Sequence, residues 1–134
     1  MSEVTENRKL LDQYVEWYNA GDLDACMELY AEDAVQAMHD GVFEGREAIH
    51  DRLARDLDAF PDLNYTVESF VEQGDAFADE FTIVGTHAAT GKRVELRGME
   101  LVRMRNGKIV VDNLYYDSMA IVVQAGLVPE PAIA

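Results

Sequence analysis

The chain has 134 residues, with 26 Asp and Glu against 11 Lys and Arg, and a formal net charge of −15. That length is one domain's worth, read here as a single domain over residues 1–134, and is enough for a real core. The charge excludes nucleic acid or anionic membrane held by a general basic surface, and no apolar run approaches the roughly 20 residues of a bilayer span. The N-terminus, Met1-Ser2-Glu3-Val4-Thr5-Glu6, lacks the basic flank and apolar stretch of a signal peptide, so a cytoplasmic protein is expected. Lysine is confined to Lys9, Lys92 and Lys108. An acidic, lysine-poor surface suits a high-salt, halophilic cytoplasm, where counterions screen self-repulsion. An acidic mesophile protein is the alternative. Cys26 stands alone, which excludes a disulfide framework and a thiolate metal cluster.

Leu10, Leu11, Tyr14, Trp17 and Tyr18 form one apolar stripe, which predicts a helix from about Thr5 to Ala20. Gly21 stops it, and Asp22 caps a second helix over about Leu23–Tyr30 that buries Cys26 and Met27. Ala34 to Met38 reads as a short strand, and His39-Asp40-Gly41 as a turn. A third helix runs from about Arg46 to Ala59, with Ile49, Leu53, Leu57 and Phe60 inward, and ends at Pro61-Asp62. From Asn64 the chain reads as strands at about 64–73, 76–88, 92–105 and 108–117. They are separated by Gly74-Asp75, Thr90-Gly91 and the strong hairpin signal Asn106-Gly107. Ser118 to Leu127 reads as a short terminal helix. Helices followed by an antiparallel meander mean α+β, with a curved, cone-shaped sheet wrapped around the N-terminal helices.

The third long strand is the most informative. Val94, Leu96, Gly98, Glu100, Val102 and Met104 share one face, and Glu100 stands in the middle of it. A carboxylate there finds a partner or shifts its pKa upward. A structural ion pair is the competing reading. On the last strand, Val110, Asp112, Leu114 and Tyr116 share a face. If Asp112 faces Glu100, the two acids titrate as a pair; otherwise Asp112 solvates the end of the sheet. Tyr14 is either core or a phenol that donates to a developing oxyanion. His39 beside Asp40 makes a base with its orienter, whereas His50 reads as solvated and His87 as the end of a strand. No pair has metal-ligand spacing, so no metal is expected. The Gly-rich phosphate loops and the Gly-x-Ser-x-Gly elbow are absent. Met99 and Leu101, on the outer face of the sheet, call for a cover such as a homodimer.

Several stretches resemble the SnoaL-like polyketide cyclase family: Tyr18-Asn19-Ala20-Gly21-Asp22-Leu23-Asp24, Leu29-Tyr30-Ala31-Glu32-Asp33-Ala34-Val35 and Gly45-Arg46-Glu47-Ala48-Ile49. Phe60-Pro61-Asp62-Leu63, Gly107-Lys108-Ile109-Val110 and Gln124-Ala125-Gly126-Leu127-Val128-Pro129 continue the likeness nearly to the end. The resemblance implies the nuclear transport factor 2-like fold shared with ketosteroid isomerases, with a cone-shaped pocket for a mostly apolar small molecule and no cofactor. Tyr14-Val15-Glu16-Trp17-Tyr18-Asn19-Ala20-Gly21-Asp22 matches the isomerase context in which a tyrosine holds the enolate oxygen, and Glu100 corresponds to the partner acid. The isomerase base falls on Met38. The cyclase acid falls on Leu114, two residues after Asp112 and about 6–7 Å along the strand. The pocket is expected to include Trp17, Tyr18, Met38, Leu114 and Tyr116. The resemblance implies proton transfer next to a carbonyl, as in an isomerase or cyclase. The alternative is a non-catalytic ligand-binding module of the same fold.

Overall fold

A computed structural model describes residues 4–129. Helix α1 (Glu6–Asn19) starts where the Thr5 hydroxyl accepts from the backbone N–H of Arg8, with Glu6 in its first turn. A short α2 (Leu23–Met27) follows, then strands β1 (Tyr30–Met38) and β2 (Gly41–Glu44) and helix α3 (Arg46–Ala59). Strands β3 (Asn64–Gln73), β4 (Ala76–Thr86), β5 (Arg93–Arg105) and β6 (Lys108–Tyr116) build the meander, and α4 (Ser118–Gln124) closes the described chain. The β5–β6 turn has Asn106 at φ 52° and Gly107 at φ 75°, the paired left-handed residues of a tight hairpin.

The six strands lie in the order β2-β1-β6-β5-β4-β3. The helices cover the concave face, where Leu11, Cys26, Ile49 and Leu53 meet Phe77, Phe81 and Val102 of the sheet. This is the expected α+β cone. Burial pushes the Cys26 thiol up to about 12, as suits an unreactive core position. Among the described residues, no helix is long and apolar enough to cross a membrane.

Four local expectations are corrected. Helix α2 ends at Met27, and Tyr30 opens β1, because the backbone N–H of Ile109 bonds to the Leu29 carbonyl and draws the chain into the sheet. The segment after His39-Asp40 forms strand β2, paired antiparallel with β1. Strand β1 pairs with β6 in parallel, so the sheet is mixed rather than purely antiparallel. A bulge at Val110 also breaks the alternation of β6: Arg103 pairs with Val111, but Met104 pairs with Ile109. Ile109 therefore points inward in place of Val110, and Asp112 keeps its inward place.

Candidate functional site

The inward faces of the central strands each carry one polar residue in an apolar row. β5 supplies Glu100, β6 Asp112, β4 Asp79 and β1 Gln36, and all four are buried. Asp79 and Glu100 are direct cross-strand partners. The Glu100 carboxyl neighbours those of both Asp79 and Asp112. Tyr65, from β3, donates to Asp79 Oδ2 at 2.6 Å and to Glu100 Oε1 at 3.2 Å. Gln36 Nε2 donates to Asp112 Oδ2 at 3.0 Å.

No Lys or Arg pairs with any of these carboxyls among the described residues. Burial, then the charges of Asp112 and Asp79, hold the Glu100 carboxyl well above the usual carboxylate range. Burial likewise raises Asp79. The Oδ1 atoms of Asp79 and Asp112 have no N–H or O–H donor from protein side chains or backbone. Both belong to carboxyls that neighbour Glu100. Among the described residues, the structural ion pair read as the alternative for Glu100 is absent.

Glu100 and Asp112 open onto a cavity of about 130 Å³ inside the cone. Its walls are apolar, with Leu53, Phe81, Ile83 and Leu114 prominent, and its lining also includes Arg52 and Asp56 of α3. Arg52 Nη1 pairs with Asp56 Oδ2 at 3.2 Å. Tyr14 and Tyr18 of α1 complete the lining. The Tyr30 hydroxyl donates to that of Tyr14 at 3.4 Å, and burial raises both phenols well above their ordinary pKa. Gly98 lies under the Phe81 ring, where a Cβ would come within 2.8 Å of Phe81 Cζ and 2.9 Å of the Tyr115 carbonyl oxygen. The missing side chain lets Phe81 stack on Tyr65, with ring centroids 5.1 Å apart, and this pair narrows the cone.

Of the expected site residues, Tyr14, Tyr18, Glu100, Asp112, Leu114 and Tyr116 meet in this cavity. Four do not. His39 is half-exposed; its Nε2 lies 2.9 Å from Ser118 Oγ and 4.0 Å from Asp40, and neither His39 nor Asp40 lines the cavity. The β1–β2 turn carries that pair out past the end of the sheet. Trp17 packs on the outer side of the core, because its position on α1 is turned away from the Tyr14–Tyr18 edge. Met38 lies behind Tyr116, whose hydroxyl donates to Met38 Sδ at 3.3 Å. Asp79, Tyr65, Gln36 and Arg52 belong to the site without having been singled out by the sequence. Asp79 carried a legible signal, since Phe77, Asp79, Phe81 and Ile83 alternate as clearly as the residues around Glu100.

A family model for the SnoaL-like domain matches residues 11–111. The chain belongs to the SnoaL-like family. Its fold matches that of AclR, a proposed hydroxylase from Streptomyces galilaeus, with a TM-score of 0.84, 25% identity, and coverage of 95% of this chain and 85% of that one. IdmH, a proposed polyketide cyclase from Streptomyces antibioticus, aligns with a TM-score of 0.80 and 27% identity, covering 92% of this chain and 99% of that one. A proposed isomerase from Bacillus subtilis shares the fold at 21% identity and a TM-score of 0.81, over 94% and 96% of the two chains. No curated protein matches the sequence.

Proposed function

We propose that this SnoaL-like domain catalyses proton transfer next to a carbonyl group of a small, mostly apolar molecule bound in the cone. The observation that supports it most is the pairing of a cation-free, buried Glu100 with Asp112 at one wall of the cavity. In this reading Asp112 takes the proton from the carbon beside the carbonyl. The C–H electron pair moves into the adjacent C–C bond, and the carbonyl π pair moves onto oxygen. Glu100 carries the proton that hydrogen-bonds to that developing oxyanion, and Tyr14 adds a second phenolic donor. Asp112 then returns the proton to the same or a neighbouring carbon. A carbonyl oxygen and its α-hydrogen sit side by side in any enolisable ketone, and a neighbouring acid and base match that arrangement.

The test is deuterium incorporation into small cyclic ketones in heavy water. The wild type incorporates deuterium. Asp112→Asn loses about 100-fold or more, and Glu100→Ala loses about 100-fold. Glu100→Gln, which keeps an N–H donor, loses clearly less than Glu100→Ala. If ketones bind but exchange no faster than in buffer, the domain is instead a binding module. On the outer face, Met99 and Tyr115 are exposed cross-strand partners, and we infer that a second copy covers them. A monomer by light scattering at all concentrations would remove that inference.

A further inference from the structure

Size and polarity of the cavity together define a ligand class narrower than an apolar small molecule. An apolar cavity of about 150 Å³ accommodates one benzene, whereas sites for drug-sized ligands start at about 300 Å³. The cavity here is about 130 Å³. It is held to that size by the Tyr65–Phe81 stack, which the bare backbone of Gly98 allows to lie close to the sheet.

Polarity is concentrated at two places. One is the acid pair Glu100 and Asp112. The other is the Arg52 guanidinium, which is 13% exposed at the side chain and faces the same cavity. Guanidinium carries five N–H donors. The Asp56 ion pair engages Nη1, and the Tyr116 hydroxyl lies alongside, so donors remain for a ligand. The charge of Arg52 is already balanced by Asp56, and Asp112 lines the same cavity. An anionic ligand therefore meets the carboxyls of Asp56 and Asp112 without an uncompensated cation, in a chain whose net charge is −15.

We propose that the ligand is a neutral, single-ring carbonyl compound that carries a second acceptor oxygen, its carbonyl directed at Glu100 and the second oxygen at Arg52. Arg52 is then a specificity-determining residue. The orientation rests on the proton-transfer reading above, because that reading puts the carbonyl at Glu100. The size, neutrality and second oxygen do not depend on it.

The experiment is a set of binding titrations followed by protein NMR, which need no turnover. The probes are 3-methoxycyclohex-2-enone, its near-isostere 3-ethylcyclohex-2-enone, cyclohexanecarboxylate and a four-ring steroid dione. In the wild type the methoxy enone binds about tenfold more tightly than the ethyl enone, as one added hydrogen bond to a charged donor gives. Arg52→Met removes that preference and still binds the ethyl enone. The carboxylate and the steroid do not bind over the same range. Phe81→Leu, which widens the cone, gains binding of a bicyclic enone that the wild type refuses. Equal affinity for the two enones in the wild type overturns the assignment of Arg52. A carboxylate or steroid that binds more tightly than the methoxy enone overturns the ligand class. A clear methoxy preference without deuterium exchange keeps this ligand class and discards catalysis.

Discussion

Asp62 and Asp79 are the same side chain accepting a hydrogen bond of the same length. Asp62 Oδ1 accepts from the backbone N–H of Thr86 at 2.6 Å, and Asp79 Oδ2 accepts from the Tyr65 hydroxyl at 2.6 Å. Their carboxyls move in opposite directions. The hydrogen bond from Thr86 holds Asp62, in open solvent, below the ordinary carboxylate value, whereas burial raises Asp79. One short hydrogen bond therefore does not decide ionisation. Water supplies the rest of the solvation at Asp62, while at Asp79 burial outweighs the hydrogen bond from Tyr65 and the more distant charge of Arg8. The protein uses its many acids in two ways: most lie at the surface in water, and a few are kept out of water, where burial favours their protonated form.

The largest effect on this comparison comes from Tyr65. Tyr65→Phe leaves Asp79 and Glu100 without their shared phenolic donor while keeping the ring stack on Phe81. Buried carboxyls left without that partner cost about 1–3 kcal/mol of stability, measured by urea unfolding. An unchanged urea midpoint would mean that the phenol contributes nothing to holding the acids.

A smaller effect appears in the pH dependence of stability. Asp79 and Glu100 bind a proton more tightly in the fold than in the unfolded chain. Their contribution is complete below about pH 4 and declines as pH rises through their raised folded values. Thermal unfolding thus shifts to lower temperature on the alkaline side. Asp79→Asn, which removes one of these protons from the balance, flattens the decline. A midpoint that rises steadily from acid to alkaline pH would contradict the raised values.

The smallest effect belongs to Asp62. Its lowered pKa means that its contribution exists above about pH 4 and is lost as acid protonates it. Asp62→Ala lowers the unfolding temperature slightly at neutral pH and not at all in strong acid. If Asp62→Ala destabilises more than Tyr65→Phe, the ranking of buried over exposed acids is wrong.

The four-strand meander and helix α3 were legible because alternation and turn chemistry agree there, as at Asn106-Gly107. Glu100 was legible for the same reason: a charge on a strictly apolar face has few explanations. Strand β2 was not. Gly41-Val42-Phe43-Glu44 is four residues long and has no period to read; its pairing with β1 defines it. The bulge at Val110 is equally silent, because nothing local distinguishes Ile109 from Val110 as the inward residue. Arg52 escaped for a different reason. Arginine on a helix beside Ile49 and Leu53 reads as a solvated flank, and only the curvature of the sheet turns that flank into a cavity wall. His39-Asp40 shows the converse: an attractive adjacent pair in the sequence that the backbone carries away from the chemistry.

The parallel seam between β1 and β6 also has a kinetic meaning. Gln36 and Asp112 are separated by 76 residues, and their hydrogen bond joins the first long strand to the last. Contacts of that span cost the most loop-closure entropy and are reached late in folding. The hairpins from β3 to β6 assemble from near neighbours in sequence and bring Asp79, Glu100 and Asp112 together first. The pairing of Gln36 with Asp112 therefore closes the cone by joining the earliest-made long strand to the latest-made one.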